Sequence, residues 1–444
     1  MSYILRFEFQ RIFASKKNLT VFLLIVLATF FFIYSGVHDF QREMNEKKHF
    51  QGYEKEKVSH YQNYAQYGAF GYRLFFQPSH LVVFFTNSNF LYDLESNVDT
   101  SEIIKVYHLF KGRKVFESRG YYKDFSGFIF LVASLFMMYM GMVAIKNLEY
   151  MKFNLMFTSF KKLVITSTIV RILLLSMFFI SLMVLGYWST QVERLRFSPE
   201  EISQYVHYCL FALVFLVFFY LLGMVLAVFL KFRKICYLWM FILWFVFIFL
   251  IPEFGRMYLF NQSGTLPSNE SVNLEKLKAL MAYEHEVKEY LQLYPPPKDI
   301  AEKFFLESTS RFVNNVHLFN RKKELELVQE MRKILNSYEI ISALFPTQFY
   351  RFLSQEISSK GYNSYLNYKW YVIRSQEKFL RYFIKKKYIL KETEVEPFIT
   401  GDENIYQAKS YLPRVFWVAL LITVFYSLLM FVTAYFRLKK LLFG

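Results

Sequence analysis

Apolar residues in this chain are concentrated in six blocks, which are separated by polar and charged stretches. A helix rises about 1.5 Å per residue and the hydrocarbon core of a bilayer is about 30 Å thick, so a spanning helix needs about 20 apolar residues. Each block is long enough, or nearly so, to form one. The pattern therefore predicts a mainly α-helical, polytopic membrane protein with spans at 19–37, 125–145, 163–188, 206–230, 235–251 and 412–436.

Two of these blocks have unusual ends. The first resembles a signal peptide, but Ile33-Tyr34-Ser35 is a poor cleavage site and the apolar core is too long, so we expect a retained span. The fifth is the shortest, and Pro252 follows it directly. Because proline lacks a backbone N–H and clashes with the preceding turn, we expect the fifth helix to end there.

The charges between the blocks indicate the orientation of the chain. Four short segments together carry 14 basic residues against two acidic ones, Glu8 and Glu149. By the positive-inside rule, these segments and both termini face the cytoplasm. Most of the formal net charge of +17 is thereby explained by topology and anionic lipid, and nucleic acid is not an expected partner. The four segments are 1–18, 146–162, 231–234 and 437–444.

Only the opposite side of the membrane has room for a soluble domain, because the cytoplasmic segments are shorter than the roughly 40 residues that independent folding needs. We expect an extracytoplasmic segment at 38–124 and a helical extracytoplasmic domain at 252–411. In the smaller segment, residues 38–65 continue the first span as a helix, and Leu81–Phe85 form a short strand.

Helical spacing recurs three times in the larger segment. It covers Leu277–Tyr294, Leu327–Ile341 and Trp370–Ile384. The run Pro295-Pro296-Pro297 separates the first helix from the next, which is expected to begin at Lys298 or Asp299.

The N-terminal residues 1–18 have one apolar face, formed by Leu5, Phe9, Ile12 and Phe13. Basic residues lie mostly on the other faces, which is typical of an interfacial helix along the inner leaflet. The simpler alternative is a frayed basic leader that only sets the topology.

Several kinds of chemistry have no motif in the sequence. It contains no phosphate-binding G-x-x-x-x-G-K-[ST] loop, no H-E-x-x-H, no G-x-S-x-G and no clustered Cys/His spacing. Cys209 and Cys236 are predicted near opposite membrane faces and should not form a disulfide. Arg171 is the one charged residue deep inside a span, about eight residues from its start, and we expect it to snorkel to the inner headgroups rather than to line a transport path. No residue is expected to be catalytic or to bind a metal or cofactor.

The order of the parts resembles the permease of an ATP-binding-cassette transporter of the type-2 export class. In that family, the loop between spans two and three carries a coupling helix with an acidic residue, a Gly-Thr-Leu stretch, then Ser-Pro and a basic residue. The matching stretch is 147–162, in which Glu149 and Ser159 fit the pattern. Phe153-Asn154 replaces the Gly-Thr pair, and Phe160 stands where proline is common.

A second stretch is similar to the outer domain of one branch of these permeases, which includes gliding-motility and bacteriocin-type exporters. It consists of Leu344–Tyr350 followed by Glu356–Tyr362. Pro346 is expected to begin a helix and Gly361 to end one in a left-handed C-cap. We expect this stretch to shape the outer domain rather than to contact a ligand.

The resemblance implies a permease subunit of an exporter in a bacterial cell membrane. A separate ATPase subunit would bind ATP and Mg, and a second permease chain, identical or related, would complete the path. The residues expected to contact the ATPase are Glu149, Lys152, Phe153, Leu155, Met156 and Ser159. Lys161 and Lys162 either join that contact or bind lipid phosphate. The aromatic spans suit a lipid-like or peptide cargo, although packing and lipid contact explain them more simply.

Two other classes of function remain open from the sequence. A membrane-embedded enzyme would place acidic residues near span ends, where Asp39, Glu43, Asp124 and Glu253 lie. A sensor or scaffold would use the outer domain to bind a partner. The neighbouring gene discriminates between them, since an ATPase favours the transporter and a kinase favours the sensor.

Overall fold

The computed structural model shows a chain that is mainly α-helical. Six helices within the described residues are long and apolar enough to cross a membrane, and each overlaps one predicted span. The predicted class, a helical membrane protein with six spans, is confirmed. The described residues are 6, 8–10, 12, 16–85, 95–100, 124–146, 159–193, 195–230, 233–263, single residues and pairs between 274 and 293, 298–398 and 404–443.

The helices are numbered here in chain order, and α1, α3, α4, α5, α6 and α10 are the candidate spans. The middle pieces of α3 and α6 and the last piece of α9 are π-helical turns. The helices are α1 (Lys16–Ser59), α2 (Tyr64–Phe70), α3 (Phe125–Phe128, Ile129–Ala133 and Ser134–Lys146), α4 (Phe160–Val192), α5 (Pro199–Phe229), α6 (Arg233–Phe245, Val246–Leu250 and Ile251–Ser263), α7 (Lys298–Ala343), α8 (Pro346–Ile357), α9 (Tyr362–Ile384 and Lys385–Ile389) and α10 (Phe416–Phe443).

Helices α3 and α5 form the centre of the bundle. In the most apolar stretch of each, 72% of α3 and 67% of α5 is buried, against 22% to 39% in the other four spans. A Cβ atom at Gly141 would lie 1.8 Å from the carbonyl oxygen of Tyr220, and one at Gly223 would lie 2.0 Å from that of Met138. The two glycines therefore let the backbones touch, as small residues do between membrane helices.

The bundle has two chemically different ends. At one end, called the basic end, α3 finishes at Lys146, α4 begins at Phe160 and α10 finishes at Phe443. At the other end lies the head domain, which comprises α2, a small sheet, α7, α8, α9 and the residues that connect them. The outer faces of α1, α4, α6 and α10 expose large apolar side chains that suit contact with lipid.

The sheet unites the two predicted outer segments in one domain. Its central strand β1 (Tyr72–Gln77) lies between β2 (Glu95–Val98) and β3 (Ile405–Gln407). β1 is antiparallel to β2 and parallel to β3, and Phe75 lies opposite Glu95 and Ile405. Backbone hydrogen bonds thus join parts of the chain that are more than 300 residues apart.

The predicted strand at Leu81–Phe85 is wrong. The segment His80–Phe84 forms a 3-10 helix, and all five residues from Leu81 to Phe85 are buried. A strand at the surface of a domain would alternate between buried and exposed side chains, whereas this run packs on every side. A helical turn satisfies local backbone hydrogen bonds within the run itself, such as that from Phe85 N–H to Val82 O.

The predicted end of the fifth span at Pro252 is also wrong, because α6 continues to Ser263. The π-helical turn Val246–Leu250 comes directly before it, and the N–H of Ile251 bonds to the carbonyl of Val246, five residues back. We infer that this π-helical turn shifts the backbone hydrogen-bond pattern. Pro252, which has no N–H to donate, therefore fits within the helix.

Helices predicted for the outer segments are mostly confirmed where they are described. α7 begins at Lys298 and contains the predicted stretch Leu327–Ile341, and α9 contains Trp370–Ile384. The predicted extension of the first span is present, since α1 runs to Ser59. Half of the residues of the predicted helix Leu277–Tyr294 lie outside the described residues, and the described half is helical.

Polar contacts bind the head domain to the ends of the spans. Lys360 lies in the turn between α8 and α9, and its Nζ is 3.2 Å from Glu43 Oε2 on α1. Glu43 Oε1 is also 3.1 Å from Lys47 Nζ, one turn further along α1. The backbone N–H of His80 donates to Glu201 in the first turn of α5. The head is therefore attached to at least two spans by charge-assisted contacts.

Candidate functional site

The predicted ATPase-contact residues Glu149, Lys152, Phe153, Leu155 and Met156 lie outside the described residues. The sixth, Ser159, is the N-cap residue of α4 and has an extended backbone. Its side chain makes no capping hydrogen bond. The structure thus describes α3 and α4, the two helices that flank these residues. The contact surface for the ATPase stays a prediction.

The segment 147–158 connects the most buried span to one of the outer spans. α3 ends at Lys146, and α4 begins at Phe160. The ring of Phe160 contacts the ring of Tyr435 on α10, with centroids 5.4 Å apart. A force applied to this segment would therefore act directly on α3 and on the α4–α10 contact.

Arg171 does not snorkel to the headgroups, so that prediction is wrong. Its side chain is only 6% exposed and forms an ion pair with Glu8, whose side chain is 3% exposed. Arg171 Nε donates to one carboxylate oxygen of Glu8, and the hydroxyl of Ser167 donates to the other. The carboxylate satisfies the charge inside the protein, so the guanidinium has no need to reach water.

The N-terminal helix is consequently fixed to α4 rather than only lying on the bilayer. Arg6, Glu8–Gln10 and Ile12 are helical. Ile12 is buried, whereas Phe9 is 50% exposed. Leu5 and Phe13, the other residues of the predicted apolar face, lie outside the described residues. The sequence contained half of the signal for this pairing: Arg171 is isolated among apolar residues, but Glu8 has Arg6 and Arg11 close by as alternative partners.

Helices α7 and α8 form a hairpin whose tip enters the bundle from the head end. From Lys322 to Ser337 the exposed positions of α7 are polar, whereas Ile340 near its end and Leu344 and Phe345 just after it are exposed apolar residues. Such a change in exposed residue type marks the level at which lipid replaces water. The tip at Leu344 and Phe345 lies at or beyond that level.

The hairpin is held to the central helices by Tyr350. Its ring stacks on Phe130 of α3 and Phe215 of α5, with centroids 5.5 Å and 4.6 Å away. Its hydroxyl bonds to the hydroxyl of Tyr208 and donates to the carbonyl of Ser126 at 3.1 Å. Burial raises the pKa of Tyr350, so the group stays a neutral donor and acceptor.

The other side of the hairpin contacts the end of α6. A Cβ atom at Gly255 would overlap the amide of Gln348, so only glycine leaves room for this side chain. Arg351 Nη1 lies 3.8 Å from Glu253 Oε1. The motif Leu344–Tyr350 was expected to shape an outer domain, and two of its residues, Phe349 and Tyr350, contact the span α5. The apolar run Ile340–Phe345 at the end of a charged helix was the sequence signal for this placement.

Pro346 begins α8 as predicted, but Gly361 does not end it. α8 finishes at Ile357, and the left-handed residue is Ser359 with φ 56°. Gly361 precedes α9 as its N-cap residue. A Cβ atom there would lie 2.5 Å from the carboxyl carbon of Glu356. The glycine is thus required for the close approach of this side chain rather than for a C-cap.

Glu356 is a fully buried carboxyl group at the base of the hairpin. The backbone N–H of Asn363 donates to its oxygens at 3.3 Å. Burial raises its pKa to about 8, despite the opposing effect of these donors. Nearby Glu339 accepts from the N–H of Val415, and burial raises its pKa as well. Glu339 thus links the hairpin to the start of the last span, and Glu356 links it to the start of α9.

The acidic residues considered for an enzyme serve other contacts. Asp39 pairs with exposed Arg42 at 3.6 Å, and Asp124 caps α3 by accepting from Gly127 N–H. Glu43 and Glu253 form the ion pairs described above. The described residues contain no group of three or more His, Cys, Asp or Glu side chains that could hold a metal ion. Cys209 and Cys236 are both free thiols.

The chain matches no known protein family, no curated protein and no solved structure.

Proposed function

We propose that the chain is the transmembrane permease subunit of an ATP-binding-cassette exporter. The protein would lie in a bacterial cell membrane, with both termini and the basic end in the cytoplasm. One observation carries the proposal: the predicted coupling segment joins the central helix α3 to α4 at the basic end, while the head domain occupies the opposite end. An ATPase bound at the basic end would need such a connection in order to move α3.

The energy for transport would come from a partner subunit. A separate ATPase subunit would bind ATP and Mg, and a second permease chain, identical or related, would complete the path. Glu149 would make a polar contact to the ATPase, with Lys152, Phe153, Leu155, Met156 and Ser159 around it. Lipid surrounds the spans, and nucleic acid takes no part in the proposed transport. A lipid-like or peptide cargo remains the expectation.

The packing supports a route for the mechanical step. Closure of the ATPase would move the segment 147–158 and with it α3. Because the glycines Gly141 and Gly223 hold α3 and α5 in backbone contact, the two helices would move as one body. Tyr350 touches both helices, so their movement would reach the hairpin at the opposite end.

The test begins with the neighbouring genes. A candidate ATPase carrying a phosphate-binding loop is tagged and coexpressed with this chain, and the expected result is copurification of the two proteins. ATP hydrolysis by the complex is then measured with and without lipid and peptide cargo candidates. Failure of every neighbouring ATPase to copurify would contradict the proposal.

A charge reversal then locates the contact. Glu149→Lys should abolish transport while ATP hydrolysis and membrane expression persist, because the motor would no longer engage the permease. Glu193→Lys is the matched control, since Glu193 is an exposed acid at the opposite end of α4. Equal transport in both variants would refute the role of Glu149.

A further inference from the structure

The outward face of α9 in the head domain carries only positive charge over three turns. Between Arg374 and Lys385, the exposed residues are Arg374, Lys378, Arg381 and Lys385. Their spacing of four, three and four residues places them on one side of the helix, where they form a line about 16 Å long. These four residues are called the α9 stripe.

The α9 stripe has little internal compensation. Glu377 lies beside it and is shared between Arg381, at 2.6 Å, and Arg321 of α7, at 2.7 Å. In the described part of the chain, neither Lys378 nor Lys385 belongs to an ion pair. Like charges three or four residues apart destabilise a helix by a few tenths of a kcal/mol per pair. The arrangement therefore disfavours the isolated helix, and a bound anion would offset the repulsion.

The stripe stands too far from the bilayer to serve as a lipid contact. Glu377 lies beside Arg321, and α7 rises about 28 Å between Ile340, where its exposed face turns apolar, and Arg321. The Debye length at physiological ionic strength is about 8 Å. The headgroup charge of the surrounding membrane is thus largely screened at this height.

We propose that the α9 stripe binds a linear, phosphate-bearing polyanion. A line of cations fits a chain whose charges repeat along its length. The stripe alternates arginine with lysine, and guanidinium forks and ammonium groups are both common phosphate ligands. The guanidinium of Arg374 lies 5.0 Å from the ring of Trp370, which holds it against the helix surface. This proposal is independent of the transport function proposed above.

The experiment uses the full-length protein in neutral detergent and inorganic polyphosphate as the probe. Binding is measured over a series of salt concentrations. Each phosphate contact to a single strand contributes about −0.7 to the slope of log affinity against log salt concentration. Contacts from all four stripe residues should therefore give a slope of about −3. The variant Lys378→Gln/Lys385→Gln should reduce the slope to about −1.4 and weaken binding about tenfold or more.

The matched control Lys48→Gln/Lys333→Gln removes the same net charge from exposed sites on α1 and α7. It should retain the wild-type slope. Because all four lysines are exposed, both variants should keep the melting temperature of the wild type. The proposal is overturned if polyphosphate does not bind, if the two variants lose equal affinity, or if polyglutamate binds as tightly as polyphosphate.

Discussion

Removal of one member of the buried Glu8–Arg171 pair should destabilise the protein strongly, and the two residues should differ in their effect. Both side chains are at most 6% exposed. Breaking a buried ion pair by removing one partner costs about 3–5 kcal/mol, because an uncompensated charge remains. That is a large share of the roughly 5–15 kcal/mol that holds a typical domain folded.

The asymmetry follows from the chemistry of the residue left behind. Arg171→Met leaves the carboxylate of Glu8 with the hydrogen bond from Ser167, so its cost should lie near the lower bound. Glu8→Leu leaves a guanidinium that does not deprotonate in proteins, so its cost should lie near the upper bound. The double variant Glu8→Leu/Arg171→Met leaves no charge and should recover most of the loss.

A double-mutant cycle measures these differences. The free energy of unfolding is obtained for the wild type, both single variants and the double variant in the same detergent. Lys333→Met is the control, since the Lys333–Glu330 pair is largely exposed and should contribute less than about 1 kcal/mol. A cost below about 1 kcal/mol for Glu8→Leu, or no recovery in the double variant, would refute the reasoning.

Three further outcomes test the packing of the bundle and the hairpin. Gly141→Ala should lower the melting temperature, because its Cβ would collide with a backbone oxygen at 1.8 Å, whereas Gly52→Ala, with nothing within 4 Å, should raise it slightly through helix propensity. Burial raises the pKa of Glu356 to about 8, above its ordinary value of 4.5, so the free energy of unfolding should fall by about 1.4 kcal/mol for each pH unit between these values; the same measurement on Glu356→Gln should lack that slope. A cysteine at Ile340 should be protected from a membrane-impermeant maleimide, and one at Ser337 should react; equal labelling would place the hairpin tip in water.

The spans could be predicted because the requirement for them is local. About 20 consecutive apolar residues define a spanning helix whatever surrounds it. The same holds for α7 and α9, in which the helical spacing of apolar residues is contained within the segment. The helix start at Lys298 was marked by the prolines before it.

The errors at Arg171 and Gly361 concern contacts that exist only in the folded chain. Arg171 was assigned to the headgroups because its partner, Glu8, is far away in the sequence. Gly361 was assigned to a C-cap because the carboxyl of Glu356, which occupies the space of its missing side chain, is visible only in the folded turn. Periodicity similarly predicts that Pro346 begins a helix, but not how deeply that helix enters the bundle.

Because α1 is long, a single helix forms the first span and continues to the head domain. The helix runs unbroken for 44 residues and contains neither a π-helical turn nor a proline. From Val37 to Ser59 it extends about 33 Å as a lever arm. A tilt of about 10° at the membrane would swing its far end by about 6 Å. Because Lys360 holds this arm through Glu43, such a tilt must either carry the head along or pull that contact apart.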